Sequence, residues 1–478
     1  MAYDLILGID IGNTVLKPAP GMVERPVAEL WANARAAISG CLDKAQVDAG
    51  RIGAIGLAGH GNGLYLLDTA GQPLLDIQSL DTRAAGLAAD LDQRRGPALH
   101  AICLQRPWPS QTPVLLAWIK MHRPDIYAPA GTLCFAKDII GWHLTGVRAS
   151  EISDMSGAGL LRLPEAVYDV ELLDLYGLSD ALPLLPLLAQ PTDVVGHVTQ
   201  EAATGLVAGT PVVAGYFDVV ASALGSGAIG AGAASIVLGS WSINQMFADV
   251  PARAPRIFMV AAFGPGRFAN MDNSATSAAN LEWYVRALME RGGHSDNPFG
   301  VVNDLVGQAA MAPDDPMFHP FLYGGRNGAH QRGGFYGLAG WHDEGHLLRA
   351  LYEGVGFEHR RHVDVLTASG AAISQVTLSG GGTRSPHWPQ MMANILGLPV
   401  TLGSAEETGA LGGAIAAAVG TGRYLTAEDA VAAMTRPRAQ LFPDPRLRAL
   451  HDRRFAVWSR LTAAMEPFWT DLLDLGKP

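Results

Sequence analysis

The first residues that could do chemistry follow an apolar run near the N-terminus. In LILGIDIGNTVLK, the run is typical of a buried strand, and Asp10 stands at its end. The turn Gly12-Asn13-Thr14 would expose backbone N–H groups and a hydroxyl, which suit phosphate oxygens, and a carboxylate beside it can hold Mg²⁺ through water. The same letters also make an ordinary Asx-type hairpin turn, so taken alone they leave the two interpretations level.

Two glycine loops later in the chain suit other parts of a nucleotide. Gly239 and Ser240 in VLGSWS indicate either a clamp on terminal phosphates or a simple hairpin. The loop SGGGTRS, which contains Gly381, Gly382 and Arg384, follows the strand QVTL and precedes a helix. Glycines let a planar ligand approach the backbone, and a helix start adds partial positive charge. We therefore favour nucleotide contact here over a connection without a ligand.

Asp218 in GYFDVV is the candidate general base. It follows the strand PVVAG and stands at a helix start, where Asp is a favoured N-cap. At a domain cleft, the same carboxylate could accept a hydroxyl proton while that oxygen attacks phosphorus. The local pattern favours the cap, and the two roles are compatible.

Five residues of the first half suit a polyhydroxyl ligand. Glycines that flank His60 and Asn62 in AGHGNG would leave both side chains exposed in a cleft, although a plain turn histidine is the alternative. Asp81 and Arg83, after IQSL, form either a ligand-reading cluster or a solvated loop. Trp108 in RPWPS is either a platform on which a sugar stacks or a core residue.

These residues need strands and helices that position them. The first half alternates short apolar strands with amphipathic helices, which is typical of an α/β domain with helices beside a sheet. The predicted strands are 5–9, 52–57, 63–67, 211–215 and 234–238, and the predicted helices are 27–41, 113–121 and 218–225. A second α/β unit begins near residue 241, so the expected domains are 1–240 and 241–478.

The second half shows three further helical patterns. Residues 347–367 form a long amphipathic pattern, and the tail 445–470 forms another. The segment ETGALGGAIAAAVGTG is a small-residue helix that can pack very close to a neighbour.

Length and composition exclude several classes of protein. The 478 residues exceed what one core holds, and 49% hydrophobic against 17% charged residues argues against disorder. A net charge of −11 without a basic block argues against a nucleic-acid partner. The three dispersed cysteines predict a reducing cytoplasm, and no run approaches the ~20 apolar residues of a membrane span.

Two motifs mislead. The glycines of GSGAIG at 225–230 fit a dinucleotide fingerprint but follow a helix rather than a strand, and no Walker-type phosphate loop occurs. His342, His346, His359 and His362 lack the HExxH pattern of zinc enzymes, so we expect them on a helix surface.

Taken together, five ordered segments resemble the FGGY carbohydrate kinases. They are GIDIGNT, GYFDVVASALGSG, VLGSWS, LSGGGTRSPHWPQMMANILGLPV and EETGALGGAIAAAVGTG, and the resemblance runs from about residue 4 to 460. It implies an α/β, two-domain, ribonuclease H-like (actin-type ATPase) fold with the active site in the interdomain cleft. Within that family, FDVVASAL, NSATSAANLEWY, FHPFLYGGRNG and GGFYGL are similar to the L-xylulose (3-keto-L-gulonate-type) kinases.

The resemblance implies ATP-dependent, Mg²⁺-dependent phosphorylation of a small ketose or related polyol at a terminal hydroxyl. Asp218 would be the base, and Asp10 with Asp218 would hold Mg²⁺ largely through water. The residues at the phosphates and the nucleotide would be Asp10, Gly12, Asn13, Thr14, Gly239, Ser240, Gly381, Gly382 and Arg384. The sugar side would be formed by His60, Asn62, Asp81, Arg83, Trp108 and Asp218. Homodimers are common in this family, while a nucleic acid or a membrane is not an expected partner.

The chain departs from the family after Lys17. Pro18 and Pro20 remove donors that a hairpin ladder needs, and the rest of the family's hairpin is absent before GMVERP. A real deletion, a sequence that omits residues, or the loss of strong ATP binding would each explain this. The last explanation gives an alternative function, a catalytically weakened sugar- or nucleotide-binding protein on the same scaffold.

Overall fold

A computed structural model describes residues 4–12, 21–202, 204–230, 232–289, 297–328, 330–370 and 372–475. The chain forms two compact units, each drawn from separate segments. The first unit holds Met1–Gly230, Phe247–Asn270 and Ala405–Arg436, and the second holds Ala231–Met246, Met271–Ser404 and Pro437–Pro478. The domain boundary at residue 240 stays a prediction.

The strands are numbered in chain order. They are β1 Leu5–Ile11, β2 Ile52–Gly59, β3 Leu64–Asp68, β4 Pro73–Ile77, β5 Ala130–Cys134, β6 Ala149–Glu151, β7 Leu161–Arg162, β8 Val167–Tyr168, β9 Leu187–Ala189, β10 Val194–His197, β11 Pro211–Phe217, β12 Ala233–Leu238, β13 Ser242–Ala248, β14 Met259–Gly264, β15 Arg267–Ser274, β16 Met317–His319, β17 Gly334–Tyr336, β18 Gln375–Ser379, β19 Val400–Gly403 and β20 Pro437–Leu441.

The helices are numbered in the same way. They are α1 Val27–Ala45, α2 Ala85–Cys103, α3 Thr112–His122, α4 Pro124–Tyr127, α5 Ala136–Thr145, α6 Ile152–Gly157, α7 Val170–Leu175, α8 Asp218–Ser226, α9 Ala279–Tyr284, α10 Pro298–Gln308, α11 Glu344–Ala368, α12 Trp388–Leu396, α13 Thr408–Gly420, α14 Ala427–Met434 and α15 Pro445–Asp474. Within the described ranges, no helix has the length and apolar character needed to cross a bilayer.

The predicted elements are confirmed, with ends that differ by a few residues. The strand expected at 5–9 continues to Ile11, and the helix expected at 27–41 continues to Ala45. The helix expected at 347–367 is α11, which begins at Glu344 behind the N-cap Asp343. The side chain of Asp343 accepts a hydrogen bond from the His346 N–H at 3.2 Å, which explains the earlier start.

The first unit is built on the sheet β1-β2-β11-β10, in which β1, β2 and β11 are parallel. Side chains alternate across β1, so Ile9 and Ile11 point into the core while the side chain of Asp10 lies on the other face of the sheet. Smaller sheets, β4-β3-β5, β6-β9 and β7-β8, complete this unit.

Helix α13 packs on this sheet and on α8 with backbone against backbone. A Cβ atom added at Gly8 of β1 would lie 1.8 Å from the Ala410 carbonyl oxygen, and one at Gly225 of α8 would lie 1.9 Å from the Thr408 oxygen. In α13 itself, a Cβ at Gly412 would lie 2.0 Å from the Ala221 oxygen. These distances are too short for any side chain, so glycine is required at the contact. The expected close packing of the small-residue helix is confirmed.

In the sheet of the second unit, β12 pairs with β18 in parallel, and β18 pairs with β19 in parallel. Helix α11 runs through the core of this unit, beside the buried side chains of Trp388, Trp458 and Trp469. Buried Glu353 of α11 holds α15, because it accepts hydrogen bonds from Arg454 Nη2 at 2.5 Å and pairs with His451 Nδ1 at 3.0 Å.

The expectation of surface histidines is wrong for His359 and His362, which are buried. His359 Nδ1 lies 2.8 Å from Asn244 Oδ1, and burial lowers its pKa to about 3. Burial opposes the charge on His362, but Asp272, whose Oδ2 lies 2.7 Å from Nδ1, and Glu358 outweigh it and raise the pKa. No group of three or more histidine, cysteine or acidic residues that could hold a metal occurs in the described part of the chain, so the exclusion of zinc is not contradicted there.

Gly412→Ala tests the close packing of α13. We expect a loss of about 1–3 kcal/mol in the free energy of unfolding, since the new methyl group meets a backbone oxygen that cannot move aside. Gly40→Ala in α1 is the matched control, because Gly40 is exposed and a Cβ there meets nothing within 4 Å. That control should gain about 0.5–1 kcal/mol from better helix propensity. Urea unfolding measures both, and equal stability of the two variants would contradict the packing.

Candidate active site

Three parallel strands of the first unit end at one edge, and candidate residues follow each of them. Gly59, the last residue of β2, pairs with Ile11 of β1 on one side and with Phe217 of β11 on the other. Asp10, His60 and Asp218 stand next to these paired residues, so the register alone brings them to the same edge.

Asp218 is the first residue of α8 and is partly buried. The N-cap is Phe217 and makes no side-chain hydrogen bond, so the N-cap interpretation of Asp218 is wrong. Burial raises the pKa of Asp218 to about 7, and the negative charge of Asp10 adds to the shift. The carboxyl group therefore keeps its proton to a higher pH than an ordinary aspartate does.

Asp10 shares this carboxylate cluster with Glu407. Loss of hydration raises the pKa of Asp10, and the charge of Glu407, at the N-cap of α13, raises it further. A Cβ atom at Gly409, in the first turn of α13, would lie 2.0 Å from Asp10 Oδ2. The close packing of α13 thus carries the helix start up to the carboxylate of Asp10.

The first phosphate motif is described as far as Gly12. Its carbonyl oxygen accepts a hydrogen bond from Arg25 Nη1 at 3.4 Å, and a Cβ there would meet nothing within 4 Å. Asn13 and Thr14 lie outside the described residues, as does the junction from Lys17 to Pro20.

His60 and Asn62 are buried rather than exposed. Asn62 has a left-handed backbone, with φ of 60°. His60 Nδ1 and Asn62 Oδ1 are buried without a hydrogen-bond partner among the described residues. Burial lowers the pKa of His60 to about 4, so its ring is neutral at pH 7. Buried polar atoms without a protein partner need an ordered water or a ligand group, and these two atoms could accept or donate to either.

Asp81 and Arg83 form a buried ion pair, so the solvated-loop alternative is wrong. Arg83 Nε donates to Asp81 Oδ1 at 2.9 Å, and Arg83 Nη2 donates to Glu24 Oε1 at 2.6 Å. Asp81 also accepts the Val23 N–H at 2.7 Å, so the pair fixes the segment before α1. Trp108 is half-buried, with its ring 5.8 Å from that of Phe258.

A buried charge cluster under this edge was missed in the sequence. Lys137 Nζ lies 2.8 Å from Asp138 Oδ1, 2.7 Å from Asp154 Oδ2 and 3.5 Å from Glu151 Oε1. Burial opposes the charge of Lys137, but the three carboxylates together raise its pKa well above the usual value. The signal available in the sequence was four charged residues in otherwise apolar segments, AKDII and ASEISDMSG.

The same cluster supports the segments that carry the candidate residues. Ser153 Oγ donates to Glu151 Oε1 at 2.8 Å and accepts the N–H of Phe217, the residue before Asp218, at 2.9 Å. A Cβ at Gly61 would lie 2.4 Å from Asp154 Oδ1, so the turn between His60 and Asn62 packs directly against the side chain of Asp154.

The second unit contains a cavity of about 440 Å³. The residues predicted for the nucleotide side of this unit all line it, namely Gly239, Ser240, Gly381, Gly382 and Arg384. Two separate glycine loops therefore meet at one cavity, as expected for a nucleotide site.

Other residues of the cavity wall were not predicted. The rings of Tyr352 and Trp388 stack with centroids 4.0 Å apart, and Trp388 Nε1 donates to the Tyr352 carbonyl at 3.1 Å. Ser385 Oγ donates to Asn303 Oδ1 at 2.8 Å. Tyr352 and Asn303 belong to two different helices, so the sequence alone gave no signal that they meet.

The glycines of the SGGGTRS loop differ in what they contact. Gly380 has φ of 88°, and a Cβ there would lie 2.8 Å from the Leu238 carbonyl. A Cβ at Gly382 would lie 2.5 Å from the Leu238 side chain, whereas one at Gly381 would meet nothing within 4 Å. Gly380 and Gly382 shape the loop, and Gly381 leaves space beside the cavity.

Comparison with known proteins shows that both halves of the chain match one family. Residues 5–225 match the N-terminal domain of the FGGY family of carbohydrate kinases, and residues 234–421 match its C-terminal domain. The L-xylulose/3-keto-L-gulonate kinase of Escherichia coli K12 is 34% identical over 463 residues, which cover 95% of this chain and 91% of that protein. The xylulose kinase of the same organism is 29% identical over 410 residues, which cover 84% of this chain and 82% of that protein.

The crystal structure of xylulose kinase from Rhodospirillum rubrum is similar throughout. Its TM-score is 0.88 at 29% identity, over 97% of this chain and 99% of that chain. The expected two-domain, actin-type ATPase fold is thereby confirmed. With both domains matched along most of its length, the chain belongs to the FGGY family of carbohydrate kinases.

Proposed function

We propose that this carbohydrate kinase transfers the γ-phosphoryl group of ATP to a terminal hydroxyl of a small, L-xylulose-like ketose, with Asp218 as the general base. The observation that carries the proposal is the position of Asp218 at the end of β11, beside Asp10, with a pKa raised to about 7. A base works best when its pKa lies near the working pH. The substrate class is supported by the E. coli relative, an L-xylulose/3-keto-L-gulonate kinase.

On the acceptor side, the ionised Asp218 would take the hydroxyl proton while the sugar oxygen attacks phosphorus. His60 and Asn62 would bind sugar hydroxyls, since His60 Nδ1 and Asn62 Oδ1 are buried and have no partner among the described residues. The expected contributions of Trp108 and of the Asp81–Arg83 pair to sugar binding remain part of this proposal.

On the nucleotide side, ATP would occupy the cavity of the second unit. Gly239 and Ser240 would face its phosphates, and Gly381, Gly382 and Arg384 would lie beside the nucleotide. Phe299 and Leu281, which line the cavity, offer apolar contact for a base. The expected phosphate contacts of Gly12, Asn13 and Thr14, and the interdomain placing of the site, stay predictions.

Mg²⁺ fits the donor set of the first unit. Asp10 and Asp218 present hard carboxylate oxygens, and the charge of Asp10 raises the pKa of Asp218, so a cation would be favoured there. Mg²⁺ usually takes one or two protein carboxylates and completes its shell with water and phosphate, so a full protein cage is not needed. Bound with ATP, it would neutralise charge on the transferring phosphoryl group.

The free cysteines Cys41, Cys103 and Cys134 support the proposed cytoplasmic location, because none of them forms a disulfide. A homodimer, common in the family, is part of the proposal as well.

The shortened hairpin after Lys17 favours a second candidate, a catalytically weakened binder of sugar or nucleotide. It predicts that a sugar stabilises the protein against heat while no ADP forms. Sugar-dependent turnover would remove this candidate and show that the missing hairpin is dispensable.

Asp218→Asn tests the role of the base. We expect kcat/KM to fall by about 10²–10⁴, since an amide cannot accept the proton. The assay is ADP release from Mg-ATP with L-xylulose, D-xylulose, 3-keto-L-gulonate and glycerol. In the natural protein, kcat/KM should drop as pH falls below about 7, because Asp218 becomes protonated. Turnover by the variant at the natural rate would rule out this role.

Thermal unfolding of the same variant is its control and has its own expected sign. The folded state raises the pKa of Asp218 from 3.8 to about 7, so ionisation destabilises the fold as pH rises through that interval. The stabilisation by Asp218→Asn should therefore grow as the pH rises from 3.8 to about 7 and should stay constant above pH 7.

Gly381→Ala and Gly380→Ala separate nucleotide binding from loop structure. Gly381→Ala should leave Tm unchanged and raise KM for ATP about tenfold, because its methyl group enters space beside the cavity. Gly380→Ala should lower Tm, since its backbone is left-handed and its methyl group would meet the Leu238 carbonyl. Steady-state kinetics and calorimetry measure the two effects. An unchanged KM in Gly381→Ala would place the nucleotide elsewhere.

A further inference from the structure

A second cavity, of about 270 Å³, lies in the second unit, and none of its lining residues lines the nucleotide cavity. Val306, Met311 and Leu447 supply an apolar wall. Arg349, His387 and Gln390 supply polar groups to the same lining. A volume just below the ~300 Å³ of ordinary ligand sites suits a compact molecule with one polar and one apolar end.

Arg349 is the main charge of this cavity. It is half-buried, its Nη1 donates to the Ala309 carbonyl at 2.5 Å, and no carboxylate of the described residues forms an ion pair with it. Glu353 acts on it only at longer range and is already held by Arg454 and His451. Asp315 likewise acts at longer range. A guanidinium has five N–H donors, so most of its hydrogen-bonding capacity is available to a ligand.

We propose that this cavity binds a small phosphate monoester, with Arg349 as the anchoring cation and His387 as a second donor. Arg matches the oxygens of a phosphate with two parallel hydrogen bonds, and the imidazole can supply a third. The carbon skeleton of the ligand would lie against Val306, Met311 and Leu447. The product of the proposed reaction, a small sugar phosphate, belongs to this chemical class.

The two cavities share three structural elements. In helix α10, Asn303 lines the nucleotide cavity and Val306 lines the second cavity. In helix α11, Tyr352 lines the nucleotide cavity and Arg349 lines the second cavity. In the segment 385–388, Ser385 and Trp388 line the first cavity, while Pro386 and His387 line the second. A ligand that fixes Arg349 and His387 would therefore change the wall that the nucleotide meets.

This coupling rests on the proposed use of the first cavity by ATP, whereas the anion site itself does not. Binding is tested without turnover, so a failure of the kinase proposal would not be mistaken for a failure of the site. Thermal unfolding is followed with increasing inorganic phosphate and glycerol 3-phosphate, against sodium chloride and acetate at matched ionic strength. The proteins compared are the natural chain, Arg349→Gln, His387→Gln and Arg384→Gln.

We expect a saturable rise in Tm with both phosphates that is lost in Arg349→Gln, weakened in His387→Gln and kept in Arg384→Gln. If Arg349→Gln does not fold, the response of His387→Gln decides. A rise that disappears only in Arg384→Gln would place the anion in the nucleotide cavity. The proposed site would be overturned if the Tm rise persisted in all variants. It would also be overturned if the phosphates raised the Tm of the natural chain no more than sodium chloride and acetate do.

The coupling is measured next, as the KM for ATP with and without saturating glycerol 3-phosphate. We expect a change of about fivefold or more in the natural protein and none in Arg349→Gln. The same change in both proteins would mean that the effector acts elsewhere, and no change in the natural protein would refute the coupling.

Discussion

Contact between the backbone of α13 and the backbones of β1, β2 and α8 is the constraint on which the first unit depends. Glycines on both sides of this contact, such as Gly8, Gly225 and Gly412, leave no room for a single methyl group. Larger side chains at this contact would hold the axis of α13 farther from its neighbours. With glycine at the contact, the first turn of α13 lies directly against the carboxylate of Asp10.

This close packing brings carboxylates together, which is electrostatically unfavourable. Burial raises the pKa of both aspartates, and the charge of Glu407 near Asp10 and the charge of Asp10 near Asp218 raise them further. Among the described residues, no basic side chain forms an ion pair with Asp218, whereas the deeper acids Asp138 and Asp154 both pair with Lys137. Burial, together with the charges of Glu151 and Asp138, nevertheless raises the pKa of Asp154 well above its usual value. In the proposed function, the first set would meet a cation and a hydroxyl proton, whereas the second set pairs with Lys137 inside the scaffold.

The sequence predicted those features that depend on local pattern. The strands, the long helix α11 and the glycine loop around Gly381 follow from periodicity and from residues with special backbone freedom. Features that join distant segments were missed. His359 and His362 looked exposed, because nothing local shows that Asn244 and Asp272 satisfy them inside the core. The stack of Tyr352 on Trp388 joins two helices, and each residue alone resembles an ordinary core position.

The most direct test of the account is Gly409→Ala, with kcat and Tm measured on the same preparation. The new methyl group would meet Asp10 Oδ2 rather than a backbone atom, so the side chain can move aside and the fold should keep its Tm. We predict that the displaced carboxylate lowers kcat at least about tenfold, as misplaced catalytic groups do. Full activity together with an unchanged Tm would contradict the claim that close packing of α13 positions Asp10 for the reaction.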